Sequence, residues 1–338
     1  MIIDKIRSLF APTFDWIQVE VNSACNAACI YCPRTVYRDI WEDRYLPLDA
    51  FRKLEPAFAK TRHVHLQGWG EPFLHPDFFD MVAVAKASGC RVGTTTNGML
   101  LNRDNRIRLV ESGMDLIAFS LAGSGEQNDV IRRGTSLKKV LEAIQALTLE
   151  KKERGRSRPE IHVAYILFRS AMGDLERLPS LLEGLGVSQV VISTLDYVPS
   201  GELEAEAILP SNKTEYEEVC KRLDAIVKAG QQKGLEIHYR IVHPGIRRRI
   251  CTENVQRAVC VSSDGAVSAC VFTNLQVPGA SYFRNGKNEA CERMVFGNIR
   301  EEPLPVIWKK RAYADFRRTF HSGDLASPCR HCPKLLGE

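Results

Sequence analysis

The sequence lacks the long apolar segments that mark membrane proteins and exported proteins. No run of about 18 apolar residues, the length that a membrane-spanning helix needs, occurs in it. Its first residues, MIIDKIRSLFAPTFDW, contain neither the apolar core nor the small-residue cleavage site of a signal peptide. These absences predict a cytoplasmic protein without a membrane partner.

A large excess of charge is also missing. The net charge is +5 over 338 residues, with 44% hydrophobic and 26% charged residues, which is ordinary for a globular protein. This balance permits an anionic substrate or an acidic redox partner, but it does not favour nucleic acid as a partner. At this length about three quarters of the unfolded surface can be buried, so disulfides are not needed for stability.

Cysteine, in contrast, is plentiful, since the chain contains eleven. A secreted disulfide framework would require an export signal, which the sequence lacks. In a reducing cytosol, clustered cysteines are more often metal ligands. The cysteines therefore point to metal chemistry.

Strand and helix patterns alternate through the first two thirds of the chain. Helical periodicity occurs at 77–88, 137–152 and 213–234, and a further strand pattern lies at 236–242. Six strand-helix repeats predict an α/β fold, a partial (β/α)6 barrel with its functional loops at the C-terminal ends of the strands. The six predicted strands are 16–21, 63–67, 91–96, 116–121, 161–167 and 189–194.

The character of the chain changes near residue 245. Six of the eleven cysteines follow residue 250, and VCVSSDGAVSACV (259–271) predicts a hairpin that turns at Asp264–Gly265. We therefore expect a barrel domain at 1–245 and a cysteine-rich domain at 246–338. The second domain is too small and irregular for an independent core, so a bound metal is expected to help hold it together.

The stretch CNAACIYC places Cys25, Cys29 and Cys32 directly after the first predicted strand, at the functional end of the barrel. A zinc site needs a fourth nearby ligand, and no histidine or further cysteine lies between residues 33 and 62. A four-iron cluster with three thiolate ligands fits better, because it leaves one iron open for another molecule.

This Cys-x3-Cys-x2-Cys loop resembles the signature of the radical S-adenosylmethionine (SAM) superfamily. The resemblance implies that the amino and carboxylate groups of SAM chelate the open iron of a [4Fe–4S] cluster. The reduced cluster then cleaves SAM to methionine and a 5′-deoxyadenosyl radical, which takes a hydrogen atom from the substrate. It also implies an electron donor of the flavodoxin or ferredoxin type.

Three further stretches resemble that superfamily, and each follows a successive predicted strand: GWGEP (68–72), TTTNG (94–98) and FSLAG (119–123). Trp69 replaces the first glycine of the family's G-G-E-P pattern. In IRRG (131–134), the arginine fork suits a carboxylate, and Arg133 is the alternative to Arg132. The residues that the resemblance implies for SAM binding are Tyr31, Gly70, Glu71, Asn97, Ser120 and Arg132.

The C-terminal cysteines resemble the SPASM extension, or its shorter twitch form, which binds auxiliary [4Fe–4S] clusters. Six cysteines are too few for two such clusters, so one auxiliary cluster is expected. A zinc ribbon is the alternative, because a paired Cys-x2-Cys and a hairpin are also typical of zinc sites. Cys260 is the alternative to Cys251, and Cys291 has no assigned role. The expected ligands are Cys251, Cys270, Cys329 and Cys332.

The resemblance implies a radical SAM oxidoreductase or maturase that oxidises or crosslinks a peptide, a protein or a small biosynthetic intermediate. One alternative is an epimerase or dehydrogenase of a small molecule similar to a sugar or an aminocyclitol. A non-catalytic iron–sulfur electron carrier or redox sensor would explain the cysteines, but not the SAM-type loops. The candidate acid–base residues follow late strands and are Asp196, Tyr197, His238, Arg240 and His243.

Overall fold

A computed structural model describes residues 13–245, 251–330 and 332–335 of the protein. The strands in these ranges are β1 Phe14–Val19, β2 Thr61–Leu66, β3 Arg91–Thr96, β4 Leu116–Leu121, β5 Glu160–Leu167, β6 Val187–Thr194, β7 Glu236–Tyr239, β8 Ala258–Val261, β9 Ala266–Ser268, β10 Ser281–Arg284, β11 Lys287–Ala290 and β12 Gly297–Asn298.

The α-helices in the same ranges are α1 Pro33–Val36, α2 Leu48–Arg52, α3 Glu55–Phe58, α4 Phe78–Ala87, α5 Arg103–Glu111, α6 Gln127–Ile131, α7 Leu137–Glu153, α8 Leu178–Leu182, α9 Gly201–Glu204, α10 Lys213–Gln232, α11 Leu304–Lys309 and α12 Arg311–Ser322. Short 3₁₀ helices occupy Pro72–Leu74, Arg169–Ala171, Asp174–Arg177, Val271–Thr273, Ser327–Cys329 and Pro333–Leu335. None of the described helices has both the length and the apolarity needed to cross a membrane.

Ten strands form one open sheet in the order β12-β9-β8-β1-β2-β3-β4-β5-β6-β7. Strands β1 to β7 are parallel neighbours in chain order, and β7 and β12 lie at opposite ends of the order, so the sheet is not closed. This confirms the predicted α/β partial barrel. The six predicted strands match β1 to β6 to within two residues at either end, whereas the predicted strand 236–242 is shorter and ends at Tyr239.

Strand β5 buries every second side chain, as the two-residue repeat of a strand predicts. In β5, Ile161, Val163, Tyr165 and Leu167 are almost fully buried, and the residues between them are half-buried. Helix α10 packs on β7 and buries Gly230. Apolar side chains thus fill the layer between sheet and helices, which leaves the other face of the strands to line the interior of the barrel.

The predicted hairpin forms from β8 and β9, which turn at Gly265 with a φ of +83°. Strand β8 also pairs in parallel with β1, where Gln18 is in register with Cys260. Trp308 packs on Phe14 with ring centroids 4.9 Å apart. The cysteine-rich segment therefore extends the barrel sheet and shares its core. The boundary near residue 245 stays a prediction, and residues 246–250 lie outside the described ranges.

Glu20, directly after β1, joins the barrel to the cysteine-rich segment. Its side chain is buried, and its carboxylate accepts hydrogen bonds from the Trp69 backbone N–H (2.8 Å), the Ser263 hydroxyl (2.7 Å) and the Gln276 amide (2.9 Å). Burial raises the pKa of Glu20, and the hydrogen bonds from Trp69 and Ser263 oppose that rise. The carboxylate thus holds the GWGEP loop and the β8–β9 turn together through hydrogen bonds alone, with no cation among its described partners.

We predict that Glu20→Gln lowers the free energy of unfolding by about 1–3 kcal/mol, because the new amide turns a donor toward groups that are themselves donors. Urea unfolding measures the change. Glu218→Gln is the matched control, since Glu218 is exposed on α10 and should change stability by less than about 0.5 kcal/mol. Equal effects of the two substitutions would contradict the role of Glu20.

Candidate active site

The CNAACIYC loop folds against the IRRG segment at the C-terminal end of β1. The Ala28 N–H donates to the Arg133 carbonyl at 2.7 Å, and the Ile30 N–H donates to the Ile131 carbonyl at 3.0 Å. The three cysteines of the loop line one cavity of about 420 Å³. Burial raises the pKa of Cys32 to about 12, and the charge of Cys29 adds to the rise, so neighbouring thiolates in this loop repel one another.

The polar groups that line this cavity fit SAM. Arg132 is buried and donates to the Tyr31 hydroxyl, but its Nε has no hydrogen-bond partner among the described residues. The indole Nε1 of Trp69 is unpaired in the same way. Buried donors without partners are costly, and a ligand that carries a carboxylate would satisfy them. Arg133, the alternative to Arg132, is exposed.

Asn97, after β3, is fixed beside the cysteine loop. Its Nδ2 donates to the Asn26 Oδ1 at 2.7 Å and lies 3.8 Å from the Cys25 sulfur, and its Oδ1 accepts from the Met99 N–H at 3.0 Å. Hydrogen bonds to cluster sulfurs tune the reduction potential of iron–sulfur clusters. The Asn97 side chain is therefore placed to interact with the Cys25 thiolate as well as with a molecule bound in the cavity.

The GWGEP loop is braced against the TTTNG loop by Glu71. The Glu71 carboxylate accepts from the Thr96 hydroxyl and from the Asn97 backbone N–H, both at 2.7 Å. A Cβ at Gly70 would lie 2.3 Å from the Asn22 Oδ1, so this backbone approach requires glycine. Both Gly70 and Glu71 line the cavity, as does Ser120 at the end of β4, but the Glu71 carboxylate is already engaged by these contacts.

A second cavity, of about 270 Å³, lies beside the first and is lined by five cysteines. Burial raises the pKa of Cys251 to about 12, and the nearby Cys332 adds to this rise. Cys260, in contrast, lies in β8 in register with Ser268 and is buried in the sheet. The structure thus places Cys251, and not Cys260, with the other expected ligands. The five cysteines are Cys251, Cys270, Cys291, Cys329 and Cys332.

The cysteines that line the two cavities suit iron–sulfur clusters, in which each thiolate binds a different iron. All eleven cysteines lie in the described ranges and all are free thiols. Across those ranges, no three His, Cys, Asp or Glu side chains converge as they would around a single metal ion. Four thiols around the second cavity supply one ligand for each iron of a [4Fe–4S] cluster, so the residues present fit that group.

The two cavities share a wall in which a lysine joins two carboxylates. The Lys334 Nζ lies 2.6 Å from the Asp196 Oδ2 and 3.1 Å from the Glu253 Oε1. Asp196 and Lys334 also border a smaller lateral cavity, of about 240 Å³, along β6 and β7. Because all three groups are largely shielded from solvent, the ion pairs hold the segments around Cys251 and Cys332 to the end of β6. The shared wall consists of Asp196, Tyr197, Glu253, Phe272 and Lys334.

The structure brings only two of the five candidate acid–base residues into this wall, Asp196 and Tyr197. The exposed His238 side chain on β7 lies 2.8 Å from Glu236, and it lines the lateral cavity together with Arg240. His243 packs its ring against Tyr216, with centroids 4.5 Å apart.

The sequence reasoning missed Lys334 and Glu253. Each stands two positions after an expected cluster ligand, Lys334 after Cys332 and Glu253 after Cys251. Charged residues next to cluster cysteines were the available signal. The signal is weak, because most charged residues in such loops face solvent.

Comparisons with known proteins agree with this geometry. Residues 19–155 match the radical SAM superfamily, and residues 251–333 match the SPASM iron–sulfur cluster-binding domain. The chain therefore carries a radical SAM domain followed by a SPASM domain, as the cysteine motifs predicted. These domains imply SAM and iron–sulfur clusters as the cofactors.

Among curated proteins, the chain is 27% identical over 309 residues to the tungsten-containing aldehyde ferredoxin oxidoreductase cofactor-modifying protein of Pyrococcus furiosus, covering 89% of this chain and 83% of that protein. It is 25% identical over 323 residues to PqqA peptide cyclase of Gluconobacter oxydans, covering 93% and 81%. The SAM-bound structure of Streptococcus suis SuiB matches with a TM-score of 0.66 at 13% identity, covering 98% of this chain and 74% of SuiB, which shows the fold alone.

We predict that Arg132→Met weakens SAM binding to the iron-loaded protein by about 10- to 100-fold, because a charge-assisted hydrogen bond to a carboxylate is lost. Equilibrium dialysis with labelled SAM measures the affinity without turnover. Arg133→Met is the matched control and should bind SAM as the wild type does, since Arg133 points to solvent. A loss shared by both variants would show that the segment, and not the Arg132 guanidinium, matters.

Proposed function

We propose that the protein is a radical SAM oxidoreductase or maturase that removes a hydrogen atom from a substrate carbon with the help of one auxiliary [4Fe–4S] cluster. The proposal rests chiefly on the shared wall, which places the SAM-type cysteine loop and the second cysteine set on either side of the same few residues. A substrate at this wall would be adjacent to both clusters. Arrangements of this kind suit oxidation, in which the substrate gives up a hydrogen atom, a proton and an electron.

The first cluster would be held by Cys25, Cys29 and Cys32, and the auxiliary cluster by Cys251, Cys270, Cys329 and Cys332. When bound, the first cluster supplies the electron that cleaves SAM to methionine and a 5′-deoxyadenosyl radical, and the auxiliary cluster supplies an acceptor for the substrate electron.

The chain's own residues orient the reactants and exclude water. Arg132 binds the SAM carboxylate, and its bond to the Tyr31 hydroxyl fixes the guanidinium. The rings of Tyr197 and Phe272 pack 6.3 Å and 6.0 Å from the Trp69 ring and form an apolar side of the chamber. Such packing shields a reactive radical from solvent.

The substrate proton would be taken by Asp196, whose carboxylate lies in the shared wall. The ion pair with Lys334 holds the Asp196 Oδ2, while the Oδ1 accepts only the long bond from the Thr194 hydroxyl (3.4 Å) among the described residues. Tyr197 donates its hydroxyl to the Ser281 carbonyl at 2.7 Å and so serves mainly to place that segment. Asp196 is therefore the stronger candidate base.

We propose a peptide or a cofactor-like small molecule as the substrate. PqqA peptide cyclase supports a peptide, and the cofactor-modifying protein of Pyrococcus furiosus supports a cofactor. A flavodoxin- or ferredoxin-type protein would donate the electron in the cytoplasm.

Substitution of single cysteines tests the auxiliary ligands. The anaerobically reconstituted protein should hold about eight iron atoms as two four-iron clusters. Cys251→Ala should lose or alter the auxiliary EPR signal, whereas Cys260→Ala should keep it, because Cys260 lies in the sheet away from the second cavity. The reverse result, or zinc in place of iron in the C-terminal segment, would refute the proposed ligand set.

The activity itself is tested by SAM cleavage. The reconstituted and reduced protein should form 5′-deoxyadenosine and methionine, slowly without substrate, because three thiolates leave an iron open for SAM. A Cys25→Ala, Cys29→Ala, Cys32→Ala triple variant is the control. It should keep about half the iron and cleave no SAM. A fully loaded wild-type protein that leaves SAM intact would rule out the proposed function.

A further inference from the structure

The β10–β11 hairpin lies outside the main sheet and contributes Tyr282, Arg284 and Ala290 to the lining of the second cavity. Its turn, Asn285–Gly286, has positive φ at both positions, as a tight hairpin requires. The hydroxyls of Tyr37 and Tyr197 both bond to the backbone of Ser281 at the start of β10. The barrel therefore fixes the position of the hairpin, and with it the side chains that the hairpin presents to the second cavity.

Arg284, at the end of β10, is one of two cationic side chains that line the second cavity. The other, Lys334, is paired with Asp196 and Glu253. Arg284 forms no ion pair and no hydrogen bond with a described residue, and its guanidinium lies over the Tyr282 ring, 5.1 Å from the centroid.

None of the carboxylates that line the second cavity with Arg284, or that lie on its hairpin, forms an ion pair or hydrogen bond with it among the described residues. The Glu289 carboxylate accepts a hydrogen bond from the Tyr282 hydroxyl, and Glu253 forms an ion pair with Lys334. Glu292 also lines the cavity but is exposed. The Arg284 side chain is partly buried, and its Nη1 atom is shielded from solvent and has no acceptor among the described residues. A buried donor without a partner costs about 1–3 kcal/mol, so a ligand that brings an acceptor would be favoured.

The unpaired polar atoms of the two cavities share one chemical property. Among the described residues that line them, every buried side-chain nitrogen or oxygen atom without a hydrogen-bond partner is an N–H donor. Unpaired donors, with no unpaired acceptor among the described side chains that line the cavities, are complementary to an oxyanion. These atoms are Trp69 Nε1, Arg132 Nε, Arg284 Nη1 and Arg34 Nε, although Arg34 Nε also lies 3.5 Å from the Asp43 carboxylate.

We propose that Arg284 binds an anionic group of the substrate, a carboxylate or a phosphate, in the cavity beside the auxiliary cysteines. Arg132 lies among the SAM-type loops and is engaged by SAM, so Arg284 serves the opposite end of the chamber. The inference rests on the proposed function, since it names the substrate class of that site. The guanidinium fork of Arg284 suits a carboxylate or a phosphate, and it would direct the rest of the substrate toward the shared wall.

Relaxation of small oxyanions near the reduced auxiliary cluster tests the proposal without turnover. Inorganic phosphate is followed by ³¹P NMR and labelled acetate by ¹³C NMR, with the reconstituted holoprotein reduced by light and deazaflavin so that no sulfite competes. At least one of the two anions should relax faster in the presence of wild-type protein. The anion that responds distinguishes a phosphate-bearing substrate from a carboxylate-bearing one.

Variants assign the effect to Arg284. Arg284→Met should bind the responding anion about tenfold more weakly or worse, and Arg284→Lys should retain part of the affinity because it keeps the charge. Arg311→Met is the control, since the Arg311 side chain is 93% exposed at the start of α12, and it should bind as the wild type does. Iron content confirms that each variant is folded and loaded.

Two results would overturn the proposal. One is the absence of relaxation enhancement for both anions in the wild type, or an equal enhancement in Arg284→Met. The other result combines two observations: the auxiliary EPR signal of Arg284→Met is shifted in the absence of anion, and the wild type binds no anion. It would show that Arg284 contacts the auxiliary cluster itself. SAM cleavage by the wild type without substrate is measured separately. A protein that binds the anion but leaves SAM intact would refute the proposed function and not the role of Arg284.

Discussion

The parallel pairing of β8 with β1 is the constraint on which the site depends. Because β1 ends at the CNAACIYC loop, a strand that pairs with it delivers its own following turn to the same edge of the sheet. The second cysteine set thereby comes to lie next to the first, although more than 200 residues separate Cys32 from Cys251. Glu20 secures this junction, since its one buried carboxylate accepts hydrogen bonds from the GWGEP loop, the β8–β9 turn and Gln276.

Each charged side chain of the shared wall has an ion-pair partner, which makes the unpaired polar groups nearby informative. Lys334 joins Asp196 to Glu253, and the Tyr282 hydroxyl satisfies Glu289. A low-dielectric chamber penalises polar groups without partners, so the unpaired donors that remain, at Trp69, Arg132 and Arg284, point to ligands that bring acceptors with them. Both SAM, with its carboxylate, and an anionic substrate meet that requirement.

Local patterns in the sequence predicted the strands of the barrel well, because each strand carries its own two-residue repeat and each helix its own apolar stripe. The one predicted strand that is clearly too long is 236–242, because β7 ends at Tyr239, where the chain leaves the sheet. The family resemblance was likewise carried by contiguous motifs, and short-range spacing is a property that a sequence displays directly. Residues such as Lys334 and Arg284 belong to no motif, so their surroundings could not be inferred from their neighbours in the chain.

The sequence by itself determined the α/β class, the three-cysteine loop and its SAM-type companions, and a second set of cysteines near the C-terminus. Only the tertiary structure decided that this second set shares a sheet and a core with the barrel, and that Cys251 and not Cys260 faces the second cavity. It also decided that Asp196 and Tyr197 line both cavities, whereas His238, Arg240 and His243 line neither. The physical reason is that these outcomes depend on which strands pair and which loops meet at one edge of the sheet. Such long-range contacts bring together residues whose separation along the chain contains no information about their distance in space.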